Sequence, residues 1–251
     1  PEKSQLGKKI IEDRFNMIKN KNEDLPDTKF AFKKTQLNIS KKELCKKYNW
    51  DDKKPIILVL ANNIYDGVFE KRSSIFMDNY SWLKTSLELL TQNKNINILV
   101  KKHPTENSVP GIKDKTKNLV YSLEQNKNIK NYPDNLSPNS IKDYIDVVFT
   151  ENGTAGMEYS NYGIPVVTSS NSRYSCANFT KECKSFDEYK NLIQNIEKMN
   201  KLTHEQVENS RIFVFINQIL TRVDFPLNPK IDTFDKNFDH SFWRILSERI
   251  D

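Results

Sequence analysis

Two lysines, a histidine and a proline stand together in Lys101-Lys102-His103-Pro104, directly after a short apolar run. An imidazole in such a place can donate a hydrogen bond to a phosphate or accept one from a substrate hydroxyl. If the apolar run is a strand, the two lysines point to opposite faces. We therefore expect only one of them, Lys102, to reach a ligand together with His103 and Pro104. The simpler interpretation is that His103 caps the end of a strand for structural reasons. Pro104 fixes the backbone of the turn, which favours a ligand-binding role instead.

A second polar segment, residues 151–158, reads Glu-Asn-Gly-Thr-Ala-Gly-Met-Glu. Asn152, Gly153 and Thr154 form a small-residue turn, in which backbone amides can approach a phosphate at the start of a helix. Glu158 lies four residues after Thr154 and so on the same helix face, where a carboxylate can accept hydrogen bonds from ribose hydroxyls. A plain helix start, with Thr154 as N-cap and a solvated Glu158, explains the same residues equally well.

Weaker candidates lie in two other polar loops. Ser169 and Ser170 follow an apolar run and could bind a phosphate, but a loop rich in serine and asparagine needs no function. Asp66, in the loop from Asn62 to Ser74, is a weak candidate for an acid–base role, and a solvated carboxylate is its simpler interpretation. His, Cys and carboxylate residues show no metal-binding spacing. We therefore predict chemistry without a metal.

The elements that would position these loops alternate between strand and helix, which indicates a doubly wound parallel sheet of Rossmann-like α/β type. In such a sheet, ligands bind outside the carboxyl ends of the strands, where the three loops that begin at Asn62, Lys101 and Glu151 would meet. The predicted strands are residues 56–60, 96–100, 119–121, 129–132, 145–150 and 164–168. The predicted helices lie in residues 1–36 and at 41–48, 75–92, 154–162, 185–199 and 203–222, several of them behind capping patterns. A further short helix is predicted to begin at Ser137-Pro138.

Composition narrows the class of protein. The chain has 251 residues, enough for one α/β domain, and its 11% aromatic residues argue against disorder. The longest apolar run, Ile56 to Ala61, is too short to span a bilayer, and we see no secretory leader.

The net charge of +6 suits anionic ligands or a membrane surface and does not require nucleic acid. An AT-rich coding sequence would explain the many lysines equally well. Three cysteines without a CxxC motif fit a reducing cytoplasm.

Three segments together resemble bacterial capsule polysaccharide biosynthesis glycosyltransferases of the GT-B type. They are Val-Lys-Lys-His-Pro at 100–104, residues 146–159, and Tyr-Gly-Ile-Pro-Val-Val at 162–167. The resemblance covers the C-terminal, donor-binding half of that type, about residues 50–200. It implies that His103 and Pro104 contact the nucleotide phosphate, as in enzymes that use CMP-activated acidic sugars. It also implies that Glu158 binds the ribose.

The resemblance implies a nucleotide-sugar donor as substrate, no cofactor, and a polysaccharide or lipid-linked glycan acceptor. It also implies that the protein is located in the cytoplasm or, as a peripheral protein, at the inner face of the cytoplasmic membrane. We divide the chain into a helical segment and connector (1–50), a nucleotide-sugar-binding domain (51–200) and a C-terminal helix and tail (201–251). Because residues 1–50 are too few for the other half of a GT-B enzyme, we expect a piece of a longer chain or a degenerate, one-domain relative.

Three other functions stay open at this point. A related enzyme could transfer polyol phosphate from a CDP-polyol to a teichoic-acid-like chain, and release of CMP with a phosphate-linked product would distinguish it. A nucleotide-sugar epimerase would act without an acceptor. A non-catalytic module would bind a nucleotide or a glycan without turnover.

Overall fold

The computed structural model describes residues 1–16, 37–64, 74–108, 114–169 and 171–221. Within these residues, six strands form one parallel sheet in the order β3-β2-β1-β4-β5-β6. This is the strand order of the Rossmann fold, so the predicted fold class is confirmed. The strands are β1 (Ile56–Leu60), β2 (Asn97–Lys101), β3 (Ile129–Asn131), β4 (Val147–Phe149), β5 (Val166–Thr168) and β6 (Lys181–Glu182).

Helices cover both faces of the sheet, which explains why β1 is a continuous apolar run. The helices are α1 (Glu2–Phe15), α2 (Lys41–Tyr48), α3 (Asn79–Gln92), α4 (Lys115–Leu123), α5 (Pro138–Ile141), α6 (Ala155–Ser160), α7 (Phe186–Gln194) and α8 (His204–Phe215). In β1, Ile57 and Val59 pack on the face of α3, α4 and α7, whereas Ile56 and Leu58 pack on the face of α1, α2, α6 and α8.

Local capping sets the start of several helices. Ser40 and Glu43 form a complete capping box at α2, and Thr203 and Gln206 form another at α8, as predicted. At α7 the Ser185 hydroxyl accepts from the amide of Glu188, but the Glu188 carboxylate accepts from the amide of Lys184. The capping box predicted there is therefore only half formed.

Some predicted elements are wrong or shifted. Residues 119–121 were predicted as a strand but belong to α4, where Leu119 and Val120 are buried and Tyr121 is exposed. Three apolar residues in a row fit either element, so the pattern could not separate the two. Helix α3 begins at Asn79 rather than at residue 75, because the Asp78 carboxylate caps the helix by accepting from the amide of Ser81.

The predicted helix ends are also corrected. Helix α7 ends at Gln194 and is followed by a separate 3₁₀ turn, Ile196–Lys198, instead of running on to residue 199. The α-helical part of α8 ends at Phe215, and a π-helical turn, Ile216–Leu220, follows it directly. Residue 222, the predicted end of this helix, lies outside the described residues. The strand β6, with only two polar residues, was not predicted.

The first helix of the chain packs against the last described one. A methyl group on Gly7 of α1 would lie 1.9 Å from the carbonyl oxygen of Arg211 in α8, so this contact requires glycine. At the other end of α1, the ring of Phe15 meets the rings of Tyr159 and Tyr162 edge-on, at 5.5 and 5.1 Å. Helix α1 is thus fixed against both α8 and α6. The division of the chain at residues 50 and 200 stays a prediction.

Candidate functional site

The loops after β1, β2 and β4 lie side by side at the carboxyl edge of the sheet. The Ala61 amide donates to the carbonyl of Lys101 at 3.0 Å, which joins the first loop to the second. The Asn62 side-chain amide donates to Oδ1 of Asn152 at 2.6 Å, which joins the first loop to the third. Since β1 and β4 are the strands between which the strand order reverses, the loops surround the switch point where Rossmann-like sheets bind ligands. The predicted meeting of the three segments is confirmed.

The turn after β4 is held from two sides. The Thr150 hydroxyl donates to Oδ1 of Asn62 at 3.1 Å and accepts from the Gly153 amide at 3.3 Å. On the other side, the Tyr174 hydroxyl donates to the carbonyl of Gly153 at 2.8 Å, and a methyl group on Gly156 would lie 2.1 Å from that hydroxyl. The turn is therefore rigid. Its Gly153 amide is already used inside the protein.

The outer residues of this turn face solvent. Asn152 and Thr154 are exposed, and Gly153 between them is half-buried. Thr154 occupies the N-cap position of α6 but makes no side-chain capping hydrogen bond. The simpler interpretation of Thr154 as a hydrogen-bonding N-cap therefore does not hold.

Glu158 is not a solvated carboxylate. Its Oε1 accepts a hydrogen bond from Nη1 of Arg14 at 2.8 Å, and the two side chains are only 12% and 3% exposed. Arg14 comes from α1, which the packing of Phe15 holds against α6. The ion pair thus joins the start of the chain to the helix that follows the small-residue turn.

The two lysines at the end of β2 have different surroundings. Lys102, which we predicted to reach the ligand, donates from Nζ to Oδ1 of Asp114 at 3.1 Å. The Lys101 ammonium lies 5.0 Å from the ring centre of Tyr132, on the same side of the sheet as Glu158. Burial lowers the pKa of Lys101 from 10.5 to about 8, and the Glu158 carboxylate opposes this shift. The Glu158 carboxylate therefore acts on the charge of Lys101, from the same side of the sheet.

Local hydrogen bonds fix the His103 side chain. Its Nδ1 accepts from the backbone amide of Thr105 at 3.3 Å and lies 2.9 Å from the Thr105 hydroxyl. An amide can only donate, so the neutral imidazole carries its proton on Nε2, the nitrogen that can donate to a phosphate. The His103 carbonyl accepts from the Glu106 amide at 3.1 Å and closes the turn, in which Pro104 is exposed.

The remaining predicted residues receive less support or lie outside the described part. Ser169 is buried, and its carbonyl accepts from the amide of Ile75 at 3.2 Å, which does not favour a direct contact with a ligand. Asp66 and Ser170 lie outside the described residues. No group of three or more His, Cys, Asp or Glu side chains in the described ranges could hold a metal ion. Likewise, none of the helices in the part of the chain that the structure covers is long and apolar enough to cross a membrane.

Three residues of this site were given no role by sequence reasoning: Arg14, Asn62 and Thr150. Lys101 was considered there, but Lys102 was preferred to it. One signal could have revealed Arg14. The buried positions of α1 are Ser4, Gly7, Ile11, Arg14 and Phe15, so a charged residue stands in the stripe that faces the protein. An arginine in such a stripe requires a buried acceptor. The sequence did not show which acceptor it meets.

The protein is a Rossmann-like α/β domain, and cationic and carboxylate side chains lie at the carboxyl edge of its sheet, beside the switch point. The family model for "Capsule polysaccharide biosynthesis protein" matches residues 13–195, and the chain belongs to this family. The family predicted from the three segments is thereby confirmed. No curated protein sequence matches the chain.

Solved structures with a similar fold include several transferases. One is a glycosyltransferase from Rickettsia africae ESF-5, at 14% identity and a TM-score of 0.47, covering 71% of this chain and 47% of that one. Another is KpsC of Thermosulfurimonas dismutans, a β-Kdo 2,7 transferase, at 20% identity and a TM-score of 0.41, covering 68% and 50%. A third is HepE (Alr3699) of Anabaena in complex with UDP-glucose, at 10% identity and a TM-score of 0.45, covering 71% and 48%. The chain spans about half the length of each.

Proposed function

We propose that this chain is the donor-binding part of a glycosyltransferase that moves a sugar from a nucleotide-activated donor to a capsule or other surface polysaccharide. Membership of the capsule polysaccharide biosynthesis family supports the biological role. One structural observation carries the site. Lys101 and Glu158 lie on the same side of the sheet beside its switch point, where burial lowers the pKa of Lys101 and the Glu158 carboxylate opposes this shift. A cation and a carboxylate suit the phosphate and the ribose of one nucleotide.

In the proposed mechanism, the site stabilises the negative charge that develops on the leaving nucleotide. Nε2–H of His103 and a lysine ammonium donate to its phosphate, with Lys101 as the lysine on the side of Glu158. The amides of Thr154 and Ala155 supply further donors, because the Gly153 amide is bound to Thr150. Glu158 keeps Oε2 as an acceptor for a ribose hydroxyl, since Arg14 contacts Oε1.

The remaining parts of the reaction are proposed on the family resemblance. The acceptor is a polysaccharide or lipid-linked glycan, whose hydroxyl is deprotonated by a base; Asp66 is the candidate in this chain, and a base on another part of the enzyme is the alternative. The donor is CMP-linked. The transfer needs no metal and takes place in the cytoplasm or at the inner face of the membrane.

A nucleotide panel tests the proposal. We expect the chain to bind at least one of CMP, CDP, UDP and GDP in calorimetry, with CMP strongest. Substituting His103→Ala or Glu158→Ala should raise Kd by about tenfold or more, because each loses a hydrogen bond to a charged group. His204→Ala and Glu205→Ala, two exposed residues on α8, are the matched controls and should bind like the parent.

Two outcomes would contradict the proposal. If the parent chain binds none of the four nucleotides, it is not a donor-binding unit. If it binds one of them but the His103 and Glu158 variants bind equally well, the assigned residues are wrong. Addition of EDTA should leave binding unchanged, and a loss of binding would contradict the metal-free mechanism.

A further inference from the structure

We propose that Arg14 is a positioning residue of the donor site, which fixes the Glu158 carboxylate so that its second oxygen meets the ribose. This inference rests on the proposed function, because it gives Glu158 the ribose as its ligand. The two residues are 144 positions apart in the chain and belong to different helices, α1 and α6.

The burial of this ion pair is the first argument. Nη1 of Arg14 lies 2.8 Å from Oε1 of Glu158, and the side chains are 3% and 12% exposed. By comparison, the side chains of the Lys102–Asp114 pair are 22% and 31% exposed. Taking two charges out of water costs free energy that their attraction often fails to recover, so a buried pair is weak evidence for a role in stability. A role in the site explains why the two charges are placed there.

The rigidity of the arginine is the second argument. Helix α1 is fixed at Gly7 by its close approach to Arg211 and at Phe15 by the rings of Tyr159 and Tyr162. The guanidinium of Arg14 therefore has a defined place beside α6. An arginine held in this way can set the orientation of a carboxylate, as partners behind ligand-binding groups generally do.

The balance of charge is the third argument. Two cations share the Glu158 carboxylate, since Arg14 donates to its Oε1 and its charge acts on Lys101. The burial of Lys101, which lowers its pKa to about 8, makes an anion nearby more favourable still. The phosphate of a nucleotide whose ribose is bound by Glu158 would supply that anion.

The test compares a ribonucleotide with its 2′-deoxy form. We expect the parent to bind CMP about tenfold more tightly than 2′-deoxy-CMP in calorimetry, because the deoxy compound cannot donate its 2′-hydroxyl to Glu158. UDP and 2′-deoxy-UDP form a second pair. Arg14→Gln should reduce the preference to less than about threefold, and Arg14→Lys should retain part of it, because it keeps the charge.

Arg211→Gln is the matched control, because Arg211 also pairs with a glutamate, Glu208, which belongs to its own helix α8. It should leave the ribose preference unchanged. Circular dichroism melting checks that each variant is folded, and Arg14→Lys serves if Arg14→Gln does not fold. A parent that binds nucleotides without any ribose preference contradicts the ribose role of Glu158 and this inference with it. A parent with the preference, kept in full by both folded Arg14 variants, overturns the inference alone.

Discussion

The side chains of Asn62 and Asn152 are joined by a hydrogen bond of 2.6 Å, although the residues are 90 positions apart. Each follows one of the two central strands, β1 and β4. The bond therefore closes the gap between the loops at the point where the strand order reverses. Asn62 also accepts from the Thr150 hydroxyl, which in turn accepts from the Gly153 amide. Asn62 thus fixes one side of the turn after β4, and Tyr174 holds the other.

The first prediction concerns this asparagine. Asn62→Ala removes both hydrogen bonds and should weaken nucleotide binding about three- to tenfold, while lowering the free energy of unfolding by about 1 kcal/mol. Isothermal calorimetry and urea unfolding measure the two effects. Asn63→Ala is the control, because the Asn63 contact to Asn79 uses its backbone carbonyl, which the substitution keeps. Equal binding by the Asn62 and Asn63 variants would show that the turn does not depend on Asn62.

The second prediction concerns Gly156. A methyl group there would lie 2.1 Å from the hydroxyl of the buried Tyr174, so Gly156→Ala must displace this ring or the turn. We expect a loss of about 2–3 kcal/mol in the free energy of unfolding, which is the usual cost of overpacking. Gly163→Asn is the comparison, because asparagine tolerates the positive φ of 78° there and its Cβ makes only an ordinary contact with Val207.

Gly163→Asn should cost less than about 1 kcal/mol in the same urea titration. A Gly156→Ala variant as stable as Gly163→Asn would mean that Tyr174 is not fixed as described. In a double-mutant cycle, Gly156→Ala should cost much less in a Tyr174→Ala background than in the parent, which would locate the clash at that ring.

The third prediction uses the pH dependence of stability. The pKa of Lys101 is about 8 in the folded protein and 10.5 in its ordinary environment. Between these values the unfolded chain binds more protons at this residue, so Lys101 makes the protein more stable as the pH rises from 8 towards 10.5. Below pH 8 the buried charge is fully present and its cost is greatest.

Lys101→Met should therefore be more stable than the parent by about 1–3 kcal/mol at pH 7, and this difference should shrink towards zero by pH 10. Urea unfolding of both proteins from pH 7 to pH 10 measures it. Other groups that titrate in this range are present in both proteins and cancel in the difference. A difference that stays constant with pH would contradict the low pKa of Lys101.

Much of the fold could be predicted because its signals are local. The strand Ile56–Leu60 is an unbroken apolar run, and the capping boxes at Ser40 and Thr203 need only four residues each. The strand at residues 119–121 was predicted wrongly because three apolar residues carry no period. Strand β6, Lys181–Glu182, is polar and two residues long, so only its pairing with β5 reveals it.

The candidate site could be predicted only in part, for a different reason. The place of the three loops follows from strand order, which the alternation of strands and helices already indicates. The hydrogen-bond partners within the site do not follow from strand order, because Arg14 and Glu158 meet only through the packing of α1 on α8 and α6. The sequence predicts that β2 ends at residue 100, whereas the strand extends to Lys101. This difference of one residue changes which of Lys101 and Lys102 belongs to the strand.

The close contact of α1 and α8 at Gly7 shows that the segment needed for folding is longer than the segment that carries the recognisable motifs. All the motifs lie between residues 51 and 200, but that segment excised on its own would lack α1, α2 and α8. The face of the sheet formed by Ile56 and Leu58 would then lose Ile11, Phe15, Leu44 and Val214 as its cover. A minimal expressed fragment chosen by motif boundaries would expose this apolar surface and aggregate, so any shortened form has to retain all three helices.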